Sequence, residues 1–267
     1  MNTRVLILGG AGAIGRELTR YFRSKDDHVD VLDVALDLNQ DLQHLNLSDL
    51  DTYRCVYFLA WDVGGSKYIA DQDTQFNQFL TNTRISSNII PQLHHSRVPF
   101  VFISSQLAGA DESAYSLTKL LGEKLCTSYS QSNARVIRQW NVYGVEEIEN
   151  QKSHVITDMI RSAIKYGEIR LITDGRERRQ FVHVNDVCKA YDLVADLHPD
   201  VYQVNSGHWI QIIEVAKLLG EMLNVSVKPG SQKGISPKGV LAKDIPGWST
   251  SMSLEDGLQS LVTKYVS

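Results

Sequence analysis

Residues 4–22, RVLILGGAGAIGRELTRYF, run without interruption from an apolar segment through four glycines into an amphipathic pattern. Val5–Leu8 reads as a buried strand, and Ile14, Leu18, Tyr21 and Phe22 recur at helical spacing. A strand that turns through glycines into a helix aims the unpaired N–H groups of the first helical turn at the turn itself. A pyrophosphate can approach the backbone closely there. The glycines fit two registers. Gly10, Gly12 and Gly15 spell G-x-G-x-x-G, the general dinucleotide fingerprint, while Gly9, Gly12 and Gly15 spell G-x-x-G-x-x-G. In both, Ala13 and Ile14 open the helix beside the phosphates. The registers predict different catalytic machinery downstream.

The rest of the chain supports a βαβ reading. Apolar runs at Val29–Leu32, Val56–Leu59, Phe100–Ile103 and Arg135–Ile137 alternate with helical patterns, one of them carried by Phe76, Phe79, Leu80, Ile89, Ile90 and Leu93. After Gly144 the pattern loosens, with helices expected at about 153–166, 186–197 and 211–223. We therefore expect an α/β fold, a Rossmann-type doubly wound parallel sheet with a smaller C-terminal substrate-binding region. The expected division is a dinucleotide-binding domain over 1–145 to which about 180–206 returns, with 146–179 and 207–267 in the smaller region. At 267 residues and 43% hydrophobic the chain has ample length for a large core. A net charge of −4 with no basic block gives nucleic-acid binding no support. Cys55, Cys126 and Cys188 are far apart and odd in number, so free thiols in a reducing compartment are expected. Without a signal-peptide pattern or a membrane-length apolar run, the expectation is a cytoplasmic protein.

Chemistry enters at three places. Asp33 ends the second apolar run, 18 residues after Gly15, where a carboxylate accepts from the adenosine ribose hydroxyls and repels a 2′-phosphate; NAD is favoured over NADP. Asp37 and Leu38 are candidates to flank the adenine. In YSLTK, Tyr115 and Lys119 stand four residues apart on one helical face, with Ser113 as a candidate N-cap. A neighbouring ammonium would favour the Tyr115 phenolate and bring it toward acid–base work near neutrality. Lys119 is also placed to bind the nicotinamide ribose. Ahead of this pair, the strand at 100–103 ends in Ser104 and Ser105. Ser105 is the expected partner for the substrate oxygen; Ser104 is the alternative.

Taken together, these segments resemble the extended short-chain dehydrogenases/reductases of the NAD-dependent epimerase/dehydratase family, over nearly the whole chain. GGAGAIG resembles the family glycine loop in the Gly9, Gly12, Gly15 register. VYFLAW resembles the strand whose end, here Leu59 and Ala60, lines the cofactor, with Trp61 replacing an alanine. TNTRISSNII resembles the helix with the family asparagine, here Asn82, which reads equally as a satisfied polar helix residue. The resemblance implies that FVFISS and YSLTK supply Ser105, Tyr115 and Lys119 as catalytic residues. It further implies that Asn141 of IRQWNVYG and Arg179 of DGRERRQFVHVNDV bind the substrate pyrophosphate, and that Gly64 and Gly65 form a substrate loop. His183 reads as structural, and His94–His95 lack a metal-ligand set. Family dehydratases carry Asp-Glu directly after the catalytic hydroxyl residue. Gln106 and Leu107 stand there instead, which disfavours 4,6-dehydration. Members that epimerise through a cysteine at the second of these positions have Leu107 as their counterpart. A second phosphate-binding arginine is absent, with Lys238 as the candidate stand-in.

The resemblance implies a nucleotide-diphosphate sugar substrate and a homodimer through the helices around 76–94 and 115–130. The chemistry that needs only serine, tyrosine, lysine and nicotinamide is C4 epimerisation through a 4-keto form, or reduction of a 4-ketosugar. A non-catalytic NAD-binding sensor or scaffold on the same fold is the reading from another class.

Overall fold

The computed structural model describes residues 3–65, 68–69, 71–145 and 152–266. The first apolar run forms β1 (Arg4–Leu8), which leads through the glycine turn into α1 (Ala13–Arg23) and then β2 (His28–Leu32). From Asp33 to Arg54 the chain makes only short 3-10 turns, at Leu38–Gln40 and Leu50–Thr52, before β3 (Cys55–Phe58). There follow α2 (Gln72–Ser96), β4 (Phe100–Ser105), α3 (Ala114–Thr127), β5 (Ala134–Gln139) and β6 (Asn141–Tyr143). The later part holds α4 (Val155–Tyr166), β7 (Glu168–Arg170), β8 (Arg178–Arg179), β9 (Phe181–His183), α5 (Val184–Ala195) and β10 (Val201–Val204). The last elements are β11 (Ile210–Gln211), α6 (Ile212–Leu223), β12 (Ser226–Lys228), β13 (Lys243–Asp244) and α7 (Leu254–Val266).

A seven-stranded sheet in the order β13-β10-β5-β4-β3-β1-β2 forms the centre, every pair in it parallel. β1 pairs with β2 on one side and β3 on the other, so the winding reverses at β1 and opens a crevice beyond its C-terminal end. The strands are apolar on both sides because helices cover both faces. One face packs Val5, Ile7, Val101 and Ile137 against Leu18 and Phe22 of α1 and Val187 and Tyr191 of α5. The other packs Leu6, Leu8, Phe58, Phe100 and Phe102 against Ile89, Ile90 and Leu93 of α2 and Cys126 of α3. A third core joins α4, α6 and α7 through Ile160, Val215, Leu219 and Leu261. The expected domain boundary after residue 145 adjoins 146–151, which lie outside the described residues.

The helix α2 departs from its sequence pattern in one respect. Phe76 and Phe79, which belong to its helical pattern, are exposed (74% and 43%), while Gln78 is wholly buried. The core of α2 is made instead by Ile85, Ile89, Ile90 and Leu93 in its C-terminal half. Among the described residues no helix is long and apolar enough to cross a membrane.

Candidate functional site

The glycine loop is shaped by close approach. Gly9 has φ +88°, and a Cβ there would lie 2.5 Å from the Ala60 nitrogen. The backbone after β3 thus abuts the loop, with the Leu59 and Ala60 N–H groups both donating to the Leu8 carbonyl at 2.9 Å. A Cβ on Gly15 would run into the Gly9 carbonyl and stand 2.7 Å from Gly10 Cα, so the first turn of α1 presses directly on the loop. Gly12 is the N-cap of α1, and no acidic side chain occupies the first turn, which begins Ala13, Ile14. The helix therefore presents its positive end to the crevice unneutralised. Gly10 has a different reason to be glycine: a Cβ there would meet the Val31 side chain of β2.

Asp33 reaches the same place from the end of β2. One carboxylate oxygen accepts from Ala11 N–H and the other from Ala35 N–H, each at 2.9 Å. This cradle of bare backbone, a helix N-terminus and a carboxylate fits a dinucleotide bearing a free ribose diol. Asp37 turns elsewhere, capping the short turn at Asn39 N–H, and Leu38 is 83% exposed.

At the C-terminal end of β4, successive residues face opposite sides of the sheet. Ser104 points toward α3 and donates to Glu123 Oε1 at 2.6 Å, within a buried network completed by Arg138. Ser105 points the other way, near enough to the Tyr115 phenol to lower that group's pKa, and its Oγ accepts from Leu107 N–H at 3.1 Å. Tyr115 is delivered by the first turn of α3, which Ser113 caps by accepting from Ser116 N–H at 3.2 Å.

Lys119 corrects the expected electrostatics. Burial pushes the Tyr115 phenol above its usual range, and the nearby Ser105 hydroxyl opposes that rise. The Lys119 amine does not draw the phenol down. It donates to the Ile103 carbonyl at 2.6 Å and lies over the Trp61 ring, 4.2 Å from its centroid. Burial lowers its own pKa from 10.5 to about 7, against an opposing pull from Glu123. Trp61, wedged between Phe58 and Phe102, is what provides this surface, and a sequence reading of spacing alone has no means of seeing it.

A separate cavity of about 120 Å³ brings together Gly65, Asn141 and Arg179 with His154, Thr157 and Glu177. Asn141 Nδ2 donates to the Gln180 carbonyl at 3.0 Å. Arg179 Nη1 donates only to backbone carbonyls, of Arg178 at 2.9 Å and Ile235 at 3.3 Å, and forms no ion pair among the described residues. Burial lowers its pKa, partly offset by Glu177. A half-buried guanidinium with no carboxylate bonded to it suits a phosphate. Gly64 and Gly65 are buried against residues 152–154, and Gly65 N–H donates to the Lys152 carbonyl at 3.0 Å. Lys238 is exposed.

Glu177 stands two residues before Arg179 in the charged run 176–179 and is buried, its Oε1 accepting from Thr173 Oγ1 at 2.7 Å. Asn82 holds the loop after β3, accepting from Asp62 N–H at 2.7 Å and donating to its carbonyl at 3.0 Å. His183 caps α5 by accepting from Asn185 N–H, and the three cysteines are buried and free.

The model of the NAD dependent epimerase/dehydratase family matches residues 5–205. The chain is similar to GDP-L-fucose synthase of Escherichia coli K12, 27% identical over an alignment covering 96% of this chain and 94% of that one. Its fold is similar to that of an NAD dependent NDP-hexosamine 5,6-dehydratase involved in tunicamycin biosynthesis, with a TM-score of 0.83, 19% identity and coverage of 99% and 98%. It is also similar to UDP-glucose 4-epimerase from Thermotoga maritima, solved with UDP-glucose, with a TM-score of 0.82, 19% identity and coverage of 98% of each chain.

Proposed function

This chain belongs to the NAD dependent epimerase/dehydratase family of nucleotide-sugar-modifying enzymes, with NAD as cofactor, and we propose that it epimerises a nucleotide-linked sugar at C4 through a transient 4-keto form. The observation that carries this reading is the meeting of Ser105, at the C-terminal end of β4, with Tyr115, in the first turn of α3, beside the reversal of strand order, the hydroxyl near enough to the phenol to lower its pKa. Bound by the loop of Gly9, Gly12 and Gly15 and by Asp33, NAD supplies a reversible hydride acceptor. Tyr115 takes the proton of the C4 hydroxyl as the ketone forms and returns it to the same oxygen after the sugar has presented its other face. Ser105 holds that oxygen in both directions. Lys119 supports the exchange by moving from the Ile103 carbonyl toward the phenol and the nicotinamide ribose. Gly64, Gly65, Asn141 and Arg179 hold the nucleotide end of the substrate. Asp33 favours NAD over NADP and so a cofactor retained through the cycle, which supports epimerisation.

Reduction of a 4-ketosugar is the second reading. It is supported by the raised pKa of Tyr115, which keeps the phenol protonated and suited to donating to a ketone, and by the likeness to GDP-L-fucose synthase. The test is incubation of the NAD-loaded protein with nucleotide hexoses, followed by separation of the C4 epimers. Tyr115→Phe should abolish the interconversion while NAD still binds. Interconversion that persists in this variant refutes the mechanism, and turnover that requires added NADH and a ketosugar favours the reduction. Exposed Phe76, Phe79 and Leu117 on α2 and α3 support pairing of two copies through these helices, which light scattering reads directly as mass.

A further inference from the structure

Lys119 is 4% exposed, and its amine forms no ion pair among the described residues. An ammonium has three donors, and one of them goes to the Ile103 carbonyl at 2.6 Å. The ionisable groups around it are otherwise engaged. Glu123, one turn further along α3, pulls the amine toward its charged form, but its carboxylate is bonded to Ser104 and to Arg138 of β5. Asp62, after β3, has its carboxylate bonded to Tyr68 and Lys152. Tyr115, one turn back, is a phenol with a raised pKa. Burial meanwhile brings the lysine down to about 7, so a modest attraction decides whether it is charged near neutrality.

That attraction is aromatic. The Lys119 Nζ stands 4.2 Å from the Trp61 ring centroid and 5.3 Å from that of Phe102. A ring face attracts a cation through its quadrupole, most strongly for an indole, and offers a neutral amine nothing comparable. The Trp61 ring is also fixed in place from both sides of the chain. Before it, Ala60 N–H donates to the Leu8 carbonyl at 2.9 Å. After it, the fully buried Asn82 side chain of α2 takes the Asp62 N–H at 2.7 Å and the Asp62 carbonyl at 3.0 Å. Phe58 and Phe102 meet the indole edge-on, at centroid distances of 6.2 and 5.4 Å. The platform is therefore rigid, and the long lysine chain is the member free to turn.

We propose that Trp61 is a positioning residue for Lys119, its ring face retaining the amine in the charged form beside the Ile103 carbonyl, from where the ammonium turns to the phenol and the nicotinamide ribose. Asn82 acts one step further back, by keeping the ring in register. The inference rests on the role given to Lys119 in the chemistry above.

The test is denaturant titration across pH in three backgrounds, with Trp61 intact, with Trp61→Phe and with Trp61→Met, each compared with its own Lys119→Met partner. The stability difference within a pair bends at the pKa of the folded lysine, near 7 with Trp61 intact. Losing the ring in Trp61→Met should lower the proton affinity of Lys119 about fivefold and move the bend down by about 0.7 pH unit. Trp61→Phe keeps a ring and should move it less. Methionine is smaller than tryptophan, so a change of burial alone would move the bend upward; a bend that rises or stays in place overturns the proposal. The second readout is kcat/KM of the NAD-loaded protein on a nucleotide hexose against pH. Its decline at high pH should begin lower in Trp61→Met by the same shift and return toward the wild-type position in Trp61→Phe. A moved bend with an unmoved kcat/KM profile confines Trp61 to the fold and overturns its positioning role. If the wild type turns over no nucleotide hexose, the epimerase reading fails, and the stability curves still decide whether the ring holds the charge.

Discussion

Ser104 and Ser105 are adjacent, equally polar and both buried, yet their replacement should have opposite consequences. Ser104→Ala removes a hydrogen bond of 2.6 Å to Glu123, whose carboxylate keeps Arg138 Nε at 3.0 Å and Nη2 at 2.7 Å. A bond to a charged acceptor contributes about 1.5–3 kcal/mol, and the surviving Arg138 bonds place this loss at about 2 kcal/mol. With an unfolding entropy of about 2.1 cal/mol/K per residue, a 267-residue chain lowers its Tm by roughly 4 °C for that loss. Turnover should change by less than twofold, because Ser104 faces α3 rather than the crevice. Ser105→Ala should do the reverse. It removes a group that holds the reacting oxygen, and loss of one such donor lowers kcat by about 10²–10³. The bond it gives up, from Leu107 N–H, is a neutral one contributing about 1 kcal/mol. Scanning calorimetry reads the first quantity and epimer formation the second. A Ser104→Ala enzyme that loses turnover as Ser105→Ala does, or that melts at the wild-type temperature, refutes the assignment of the two faces.

Three further outcomes can be measured without knowing the sugar. Gly10→Ala should destabilise by about 1–3 kcal/mol through its clash with Val31, and Val31→Ala should restore most of that in the double variant, as thermal melts would show. Gly15→Ala, which meets backbone, should lose NAD binding by fluorescence titration, and Val31→Ala should not rescue it. Lys119 predicts a pH dependence. Its folded pKa of about 7 lies below the 10.5 of an unfolded lysine, so between those values the unfolded chain holds a proton that the folded chain lacks. Stability relative to Lys119→Met should therefore rise with pH across that window, by on the order of 5 kcal/mol, and flatten below pH 7, where both states are protonated. A difference that is flat from pH 7 to 10 in denaturant titrations contradicts the buried placement of the amine.

The sequence carried most of the architecture because the signals involved are local. Apolar runs between turn residues placed five sheet strands; four are extended in the structure by one to three residues, as at Phe100–Ser105, because pairing with neighbours continues past the apolar positions, and the run Val56–Leu59 is shifted by one to Cys55–Phe58. Glycines and a hydroxyl cap located the starts of α1 and α3, where the residues that shape the backbone are contiguous. Two features were not legible. The exposure of Phe76 and Phe79 on α2 is one, since helical periodicity says which residues share a face but not whether anything covers it. The interaction between Lys119 and Tyr115 was inferred from a spacing of four, which brings two side chains to one face but does not fix where a long, flexible amine goes.

What the amino-acid order determined by itself is the strand–glycine–helix unit, the parallel sheet it nucleates and the nomination of Ser105, Tyr115 and Lys119. The first two follow from periodicity and from backbone conformations open only to certain residues; the three site residues follow from the one-face spacing of Tyr115 and Lys119 together with the family resemblance. Tertiary structure alone decided which serine faces the crevice, that Trp61 and the Ile103 carbonyl hold the Lys119 amine, and that Glu177 is buried beside Arg179 with one oxygen unpaired. Those outcomes depend on which segments, distant in sequence, pack against each side chain. Burial and pairing, which set the charge state of a polar group, are properties of that packing and not of the residue or its neighbours along the chain.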